Sequence, residues 1–182
     1  MDRFGVELRA EISGNRLAGH AALFGVHADL ERHYETLAPG AFDETLKRGD
    51  DVKAFWNHDP GLVLGSTKAK TLRLDIDDRG LRFEVDLPDT SYARDLRELV
   101  GRSDVNAMSF GFIPGADEWS RAADGRQIRT HTSVKRLVEV SPVALPAYDG
   151  TECYLRHMEF QPPTTTLATQ LIRLRAAVLL KG

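Results

Sequence analysis

Short runs of alternating apolar and polar residues, punctuated by tight-turn signals, recur along this chain and restrict it to a fold built from many short strands. From Gly5 to Phe24 the alternation continues on either side of Gly14-Asn15, which predicts a β-hairpin. Leu72 to Asp77 and Leu81 to Leu87, separated by Asp78-Arg79-Gly80, predict a second one. Val52 to Asn57, Val105 to Ile113, Gln127 to Thr132 and Lys135 to Val143 read as further strands. Two segments change period. After Pro39-Gly40, Phe42 and Leu46 lie one helical turn apart in a short helix ending near Gly49. Between Thr90 and Val100, Tyr92, Leu96 and Leu99 share the face of a helix capped by Asp89 or Thr90. The expected class is β-rich α+β: a closed or nearly closed β-barrel surrounded by a few helices, because closure removes exposed strand edges.

A chain of 182 residues suits one domain. Gln161-Pro162-Pro163 followed by three threonines reads as a linker, so the barrel is expected over 1–158, with the linker and an amphipathic helix over 159–182. That helix carries Leu167, Leu171, Leu174 and Val178 on one face, which either packs back on the barrel or forms a dimer contact. The net charge of −3, with no long run of either sign, argues against a nucleic-acid groove. A single Cys153 leaves no partner for a disulfide or a cysteine zinc site, and nothing calls for a cofactor. No window resembles a membrane span or signal peptide, so work inside a cell is expected.

The segment Asn106-Ala107-Met108-Ser109-Phe110-Gly111-Phe112 carries the most chemistry. In a strand, Met108, Phe110 and Phe112 share the core face, while Ala107, Ser109 and Gly111 share the other. A nearly bare face holding one hydroxyl lets a peptide backbone approach a serine nucleophile; the same pattern also describes a serine in a half-buried strand. A serine needs a base, and His58 lies where the Val52 to Asn57 strand ends and the chain turns at Asp59-Pro60. It also reads as a surface turn histidine. The base needs an acceptor that fixes its tautomer, and Glu139, in the apolar strand Arg136 to Val143, fits that role. A carboxylate there also reads as one that faces solvent or pairs with Lys135 or Arg136. A metal site on His58-Asp59 with His20, His27 or His33 is the rival chemistry, although no HExxH helix or comparable spacing accompanies it.

Taken in order, Gly19 with Phe24, Glu35 with Pro39-Gly40-Ala41-Phe42, Asn57-His58-Asp59, Gly65, Gly80-Leu81, Met108 to Phe112, and Glu139-Val140-Ser141 through Pro146-Ala147 resemble the prohead proteases of tailed phages. The resemblance runs from about Gly14 to Gly150. It implies a barrel similar to the herpesvirus maturation protease, with the family's serine on Ser109, its histidine on His58 and its acidic third member on Glu139. The herpesvirus enzymes use a second histidine there, which makes His131 the alternative. The implied activity is a serine endopeptidase that cleaves scaffold protein, or the scaffolding segment of the major capsid protein, and itself. The implied setting is the immature capsid of a phage, prophage or gene transfer particle in the bacterial cytoplasm. A homodimer is implied by the herpesvirus relatives. A noncatalytic barrel that serves as a capsid-assembly scaffold factor is the competing reading.

Overall fold

Among residues 11–144, which the computed structural model describes, twelve strands and two helices alternate along the chain. The predicted N-terminal hairpin is present in its described part as β1 (Glu11–Ser13) and β2 (Arg16–Leu23), with Gly14 at φ 62° in the turn. The second predicted hairpin forms from β7 (Leu72–Ile76) and β8 (Gly80–Asp86). These four strands make one sheet in the order β1-β2-β8-β7. Its inner face follows strict alternation: Leu81, Phe83 and Val85 are buried, and Leu17 lies opposite Val85.

The second sheet was only partly expected. It runs β10 (Asp117–Arg121), β11 (Gln127–His131), β4 (His33–Leu37) and β3 (Ala28–Asp29), with β11 and β4 parallel. The third sheet holds the residues of chemical interest and runs β6 (Asp59–Ser66), β5 (Lys53–Trp56), β12 (Val134–Val143) and β9 (Ala107–Pro114). β12 is antiparallel to β9 and parallel to β5. The fold is therefore strand-rich with few helices and several sheets, and among the described residues no sheet closes on itself through its own hydrogen-bonded ladder.

Helix α1 (Asp43–Arg48) carries acidic Asp43 and Glu44 in its first turn and Lys47 and Arg48 in its last, which matches the helix dipole at both ends. It ends at Gly49, whose φ of 70° is the left-handed conformation of a C-terminal cap. Helix α2 (Ser91–Gly101) starts at Thr90, whose hydroxyl accepts from the Ala93 amide. Its buried stripe is Ala93, Leu96 and Val100, with Tyr92 and Leu99 packed at the margins, so the predicted face is rotated slightly toward Ala93. The core joins Phe42, Leu64, Leu72, Phe83, Leu96, Phe110, Phe112, Leu137 and Val140 into one cluster. The linker and helix expected over 159–182, and with them the end of the barrel domain, lie outside the described residues.

Candidate active site

A one-residue irregularity sets the site. Leu137 faces Phe112 across the β12–β9 ladder and Glu139 faces Gly111, so Val138 is an extra residue on β12. Strict alternation would put Glu139 on the face of Leu137, which is fully buried in the core. The bulge instead lets Leu137 and Val140 both point into the core and turns Glu139 and Ser141 to the opposite face. The Leu137 amide donates to Thr45 Oγ1 of α1 at 3.0 Å, so a group beside the bulge is satisfied by a side chain.

On that opposite face β9 contributes Gly111, directly across from Glu139, and Ser109, directly across from Ser141. The face carries only small side chains, as the alternation implied, and it is covered: Ala107 and Ser109 are only 5% and 6% exposed, and Gly111 is buried as well. Gly111 serves the carboxylate. A Cβ there would lie 2.6 Å from Glu139 Oε1 and 3.2 Å from its Cγ, so only glycine leaves room for the acid in this position.

His58 arrives from the other side of β12. Trp56 pairs with Asp59, so Asn57 and His58 form a two-residue hairpin loop between β5 and β6. Their φ angles of 53° and 61° are those of a type I′ turn, a conformation that asparagine and histidine tolerate better than most residues. The turn therefore falls at Asn57-His58, two residues earlier than expected. Asp59-Pro60 opens the return strand β6, an edge strand where a proline does not interrupt a ladder. The Asn57 amide donates to the Pro142 carbonyl at 3.0 Å, which ties the turn to β12 beside Ser141.

The outcome is a chain of contacts. His58 Nδ1 lies 2.8 Å from Glu139 Oε1, and Ser141 Oγ donates to Glu139 Oε2 at 2.5 Å. With its Nδ1–H donating to the carboxylate, His58 keeps Nε2 as a proton acceptor. The His58 side chain is 22% exposed and that of Glu139 9%, so the imidazole reaches the surface while the carboxylate does not. The described residues contain no hydrogen bond between His58 and Ser109. Ser109 is related to the pair by the ladder, on the same face and beside Ser141.

A family model of caudovirus prohead serine proteases matches residues 5–164 of the 182-residue chain. The chain belongs to this family. No curated protein and no solved structure matches it.

In this prohead protease His131 occupies a different place from the acid. It is fully buried on β11, its ring edge-on to Phe112 at 5.2 Å, on the core face of β9 rather than the Ser109 face. Its Nδ1 lies 2.7 Å from Asp117 Oδ1 and its Nε2 3.3 Å from Glu35 Oε2. Glu35 also meets Arg129 and His33, each at 3.2 Å. Burial works against ionisation of Glu35, but hydrogen bonds from His131 and His33 and the charges of His131 and Arg129 outweigh it and hold the carboxyl at about 2. For Arg129, burial opposes the charged form, and its contacts with Asp117 and Glu35 reverse that and raise it above the ordinary guanidinium value. The sequence reading missed this network, which pins β4, β10 and β11 together. Its one advance signal was Glu35 among the residues that carry the family resemblance.

The histidines proposed as metal ligands do not join His58-Asp59. His20 pairs with Asp77 at 2.8 Å, His33 with Glu35, and His27 stacks on Tyr34 with ring centroids 5.8 Å apart. Among the described residues no group of three or more His, Cys, Asp or Glu is arranged to hold a metal. No helix there is long and apolar enough to cross a membrane.

Proposed function

We propose that this chain is a serine endopeptidase in which Ser109 is the nucleophile, His58 the general base and Glu139 the residue that orients it. The contact between His58 Nδ1 and Glu139 Oε1, at 2.8 Å, carries the reading. It selects the tautomer whose Nε2 can take the hydroxyl proton as Ser109 Oγ attacks a peptide carbonyl carbon. The imidazolium formed is stabilised by the adjacent carboxylate, then gives its proton to the departing amine. Water, deprotonated by the same imidazole, releases the acyl group from Ser109. Nucleophile and base are often loosely placed until substrate is bound, and the ladder sets Ser109 opposite Ser141, the residue whose hydroxyl donates to the acid. Glu139 rather than His131 takes the third role, because both nitrogens of His131 face carboxylates on the other side of β9.

Membership of the caudovirus prohead serine proteases supports a role in head maturation. The substrates proposed are scaffold protein or the scaffolding segment of the major capsid protein, together with the enzyme itself, cut inside the immature capsid of a phage or phage-like particle. Confinement of many copies in a closed shell raises the effective concentration of both partners, so modest affinity suffices. The strand-rich body is read as a barrel whose closure is completed by side-chain packing between sheets, and the working form as a homodimer. Co-expression with the neighbouring capsid precursor tests the activity. Ser109→Ala is expected to lower production of the defined fragment by about 10⁴-fold or more, read by intact mass. Equal processing by variant and parent would reject the enzyme in favour of a noncatalytic assembly factor.

A further inference from the structure

Ser141 is fully buried, carries a nucleophilic hydroxyl, and has no role in the steps above. Resting on the assignment of Ser109, His58 and Glu139, we propose that Ser141 is a positioning residue that locks the Glu139 carboxylate in the plane from which it directs His58.

The terminal torsion of a glutamate is broad and roughly two-fold, so a carboxylate held by one oxygen still rotates about its last bond. Glu139 is held by both: Oε1 by His58 and Oε2 by Ser141. A hydrogen bond from a hydroxyl to a carboxylate at 2.5 Å is in the short, charge-assisted class. The two residues are suited to it by the strand itself. Beyond the Val138 bulge the ladder is regular, so positions 139 and 141 fall on one face, one strand repeat apart. Ser141 is also fixed from outside. The next carbonyl, that of Pro142, accepts from Asn57 in the His58 turn, and Ser141 itself stands opposite Ser109. One residue therefore touches the acid, adjoins the tether of the base and faces the nucleophile. Ser141 is not a second nucleophile in this geometry, because its hydroxyl proton is directed at a carboxylate and not at an imidazole.

The test uses the full chain with a fluorophosphonate, which labels a base-activated serine covalently. It adds proton NMR of the imidazole N–H that donates to a carboxylate, a resonance that falls far downfield. The parent should be labelled at Ser109, and Ser109→Ala should not be labelled. Ser141→Ala should label Ser109 on the order of 10- to 100-fold more slowly, the loss expected for a hydrogen bond to a charged group. Its downfield resonance should shift or broaden while the remaining dispersed signals stay in place. Ser141→Cys, which keeps the space filled but offers a weak donor, should be slowed in the same direction and covers the case in which alanine leaves the strand unfolded. Ser109-dependent labelling at the parent rate in both Ser141 variants, with the resonance unmoved, would overturn the positioning role and leave the triad intact. Labelling that survives Ser109→Ala would overturn the triad and the positioning role together.

Discussion

Gly111→Ala is the sharpest probe of the site, because it adds one methyl group at the point where the acid is held. The backbone there tolerates the change, since Gly111 is not among the glycines with positive φ. The added Cβ would lie 2.6 Å from Glu139 Oε1, where ordinary contact begins at 3.4 Å, so that oxygen must retreat by about 0.8 Å. Carboxylate ends often move at little cost, but this one is gripped at both oxygens and its Cγ and Cδ would also be crowded, at 3.2 and 3.3 Å. His58 holds this same oxygen at 2.8 Å from the far side of β12, so a displacement of that size cannot leave the bond at its present length and angle. Losing a hydrogen bond to a charged group removes roughly 1.5–3 kcal/mol, equivalent to about 10- to 150-fold in rate. Overpacking by one methyl destabilises by about 1–3 kcal/mol, which a domain with the usual 5–15 kcal/mol survives. The assay is fluorophosphonate labelling or precursor processing per folded molecule, alongside thermal unfolding. Gly65→Ala, on β6 of the same sheet, is the control: its Cβ would meet the buried Val85 Cγ2 of β8 at 2.7 Å, a clash in the core rather than at the carboxylate, and it should cost stability without slowing the folded fraction. A folded Gly111→Ala variant that works at the parent rate would refute the idea that Glu139, in this position, orients the base.

Two further outcomes follow from the same geometry. Glu35 has its carboxyl lowered from 4.5 to about 2, so its stabilising contribution is complete above pH 4.5 and is lost as the pH falls toward 2; by linkage it is on the order of 3 kcal/mol. The stability gap between parent and Glu35→Gln, measured by denaturant unfolding from pH 5 to 2, should shrink over that window, and a constant gap would contradict the buried ionised network. At the turn, Asn57→Val forces a β-branched residue to φ near 53° and should lose about 1–2 kcal/mol together with labelling rate, whereas Asn57→Gly should stay close to the parent. Identical behaviour of the two would show that the left-handed turn does not hold His58.

Where period and turn chemistry agreed, the sequence was readable. Leu72 to Ile76 and Gly80 to Asp86 alternate cleanly because one face is core, and Thr90 announces α2 because its hydroxyl is the cap. What it hid has local physical causes. β3 is only two residues long, β6 begins with Asp59-Pro60-Gly61, and most of β10 is exposed, so none of them shows an apolar alternation to detect. The parallel pairings of β11 with β4 and of β12 with β5 join segments far apart in the chain and leave no mark at either one. The small-residue face of Ala107, Ser109 and Gly111 is there as read, but part of it is filled from within: at Gly111 the group that approaches is the protein's own glutamate.

His58, Ser109 and Glu139 each enter the proposed site by a different route, and all three routes pass through β12. Ser109 comes from a regular stretch of β9 paired to it, Glu139 from the bulge within it, and His58 from a turn tied by its neighbour to the Pro142 carbonyl. Two ladders and one hydrogen bond to a common strand fix these groups relative to each other more tightly than independent loops would, since a slip in either register would carry a side chain to the wrong face. The left-handed turn and the bulge are therefore coupled requirements. A regular β12 would aim Glu139 into the core and leave His58 facing an apolar strand, and a relaxed turn would leave Glu139 with a second oxygen held by Ser141 and nothing to orient. That mutual dependence explains why two local departures from ideal backbone, each unfavourable alone, occur together beside the one strand that carries the serine.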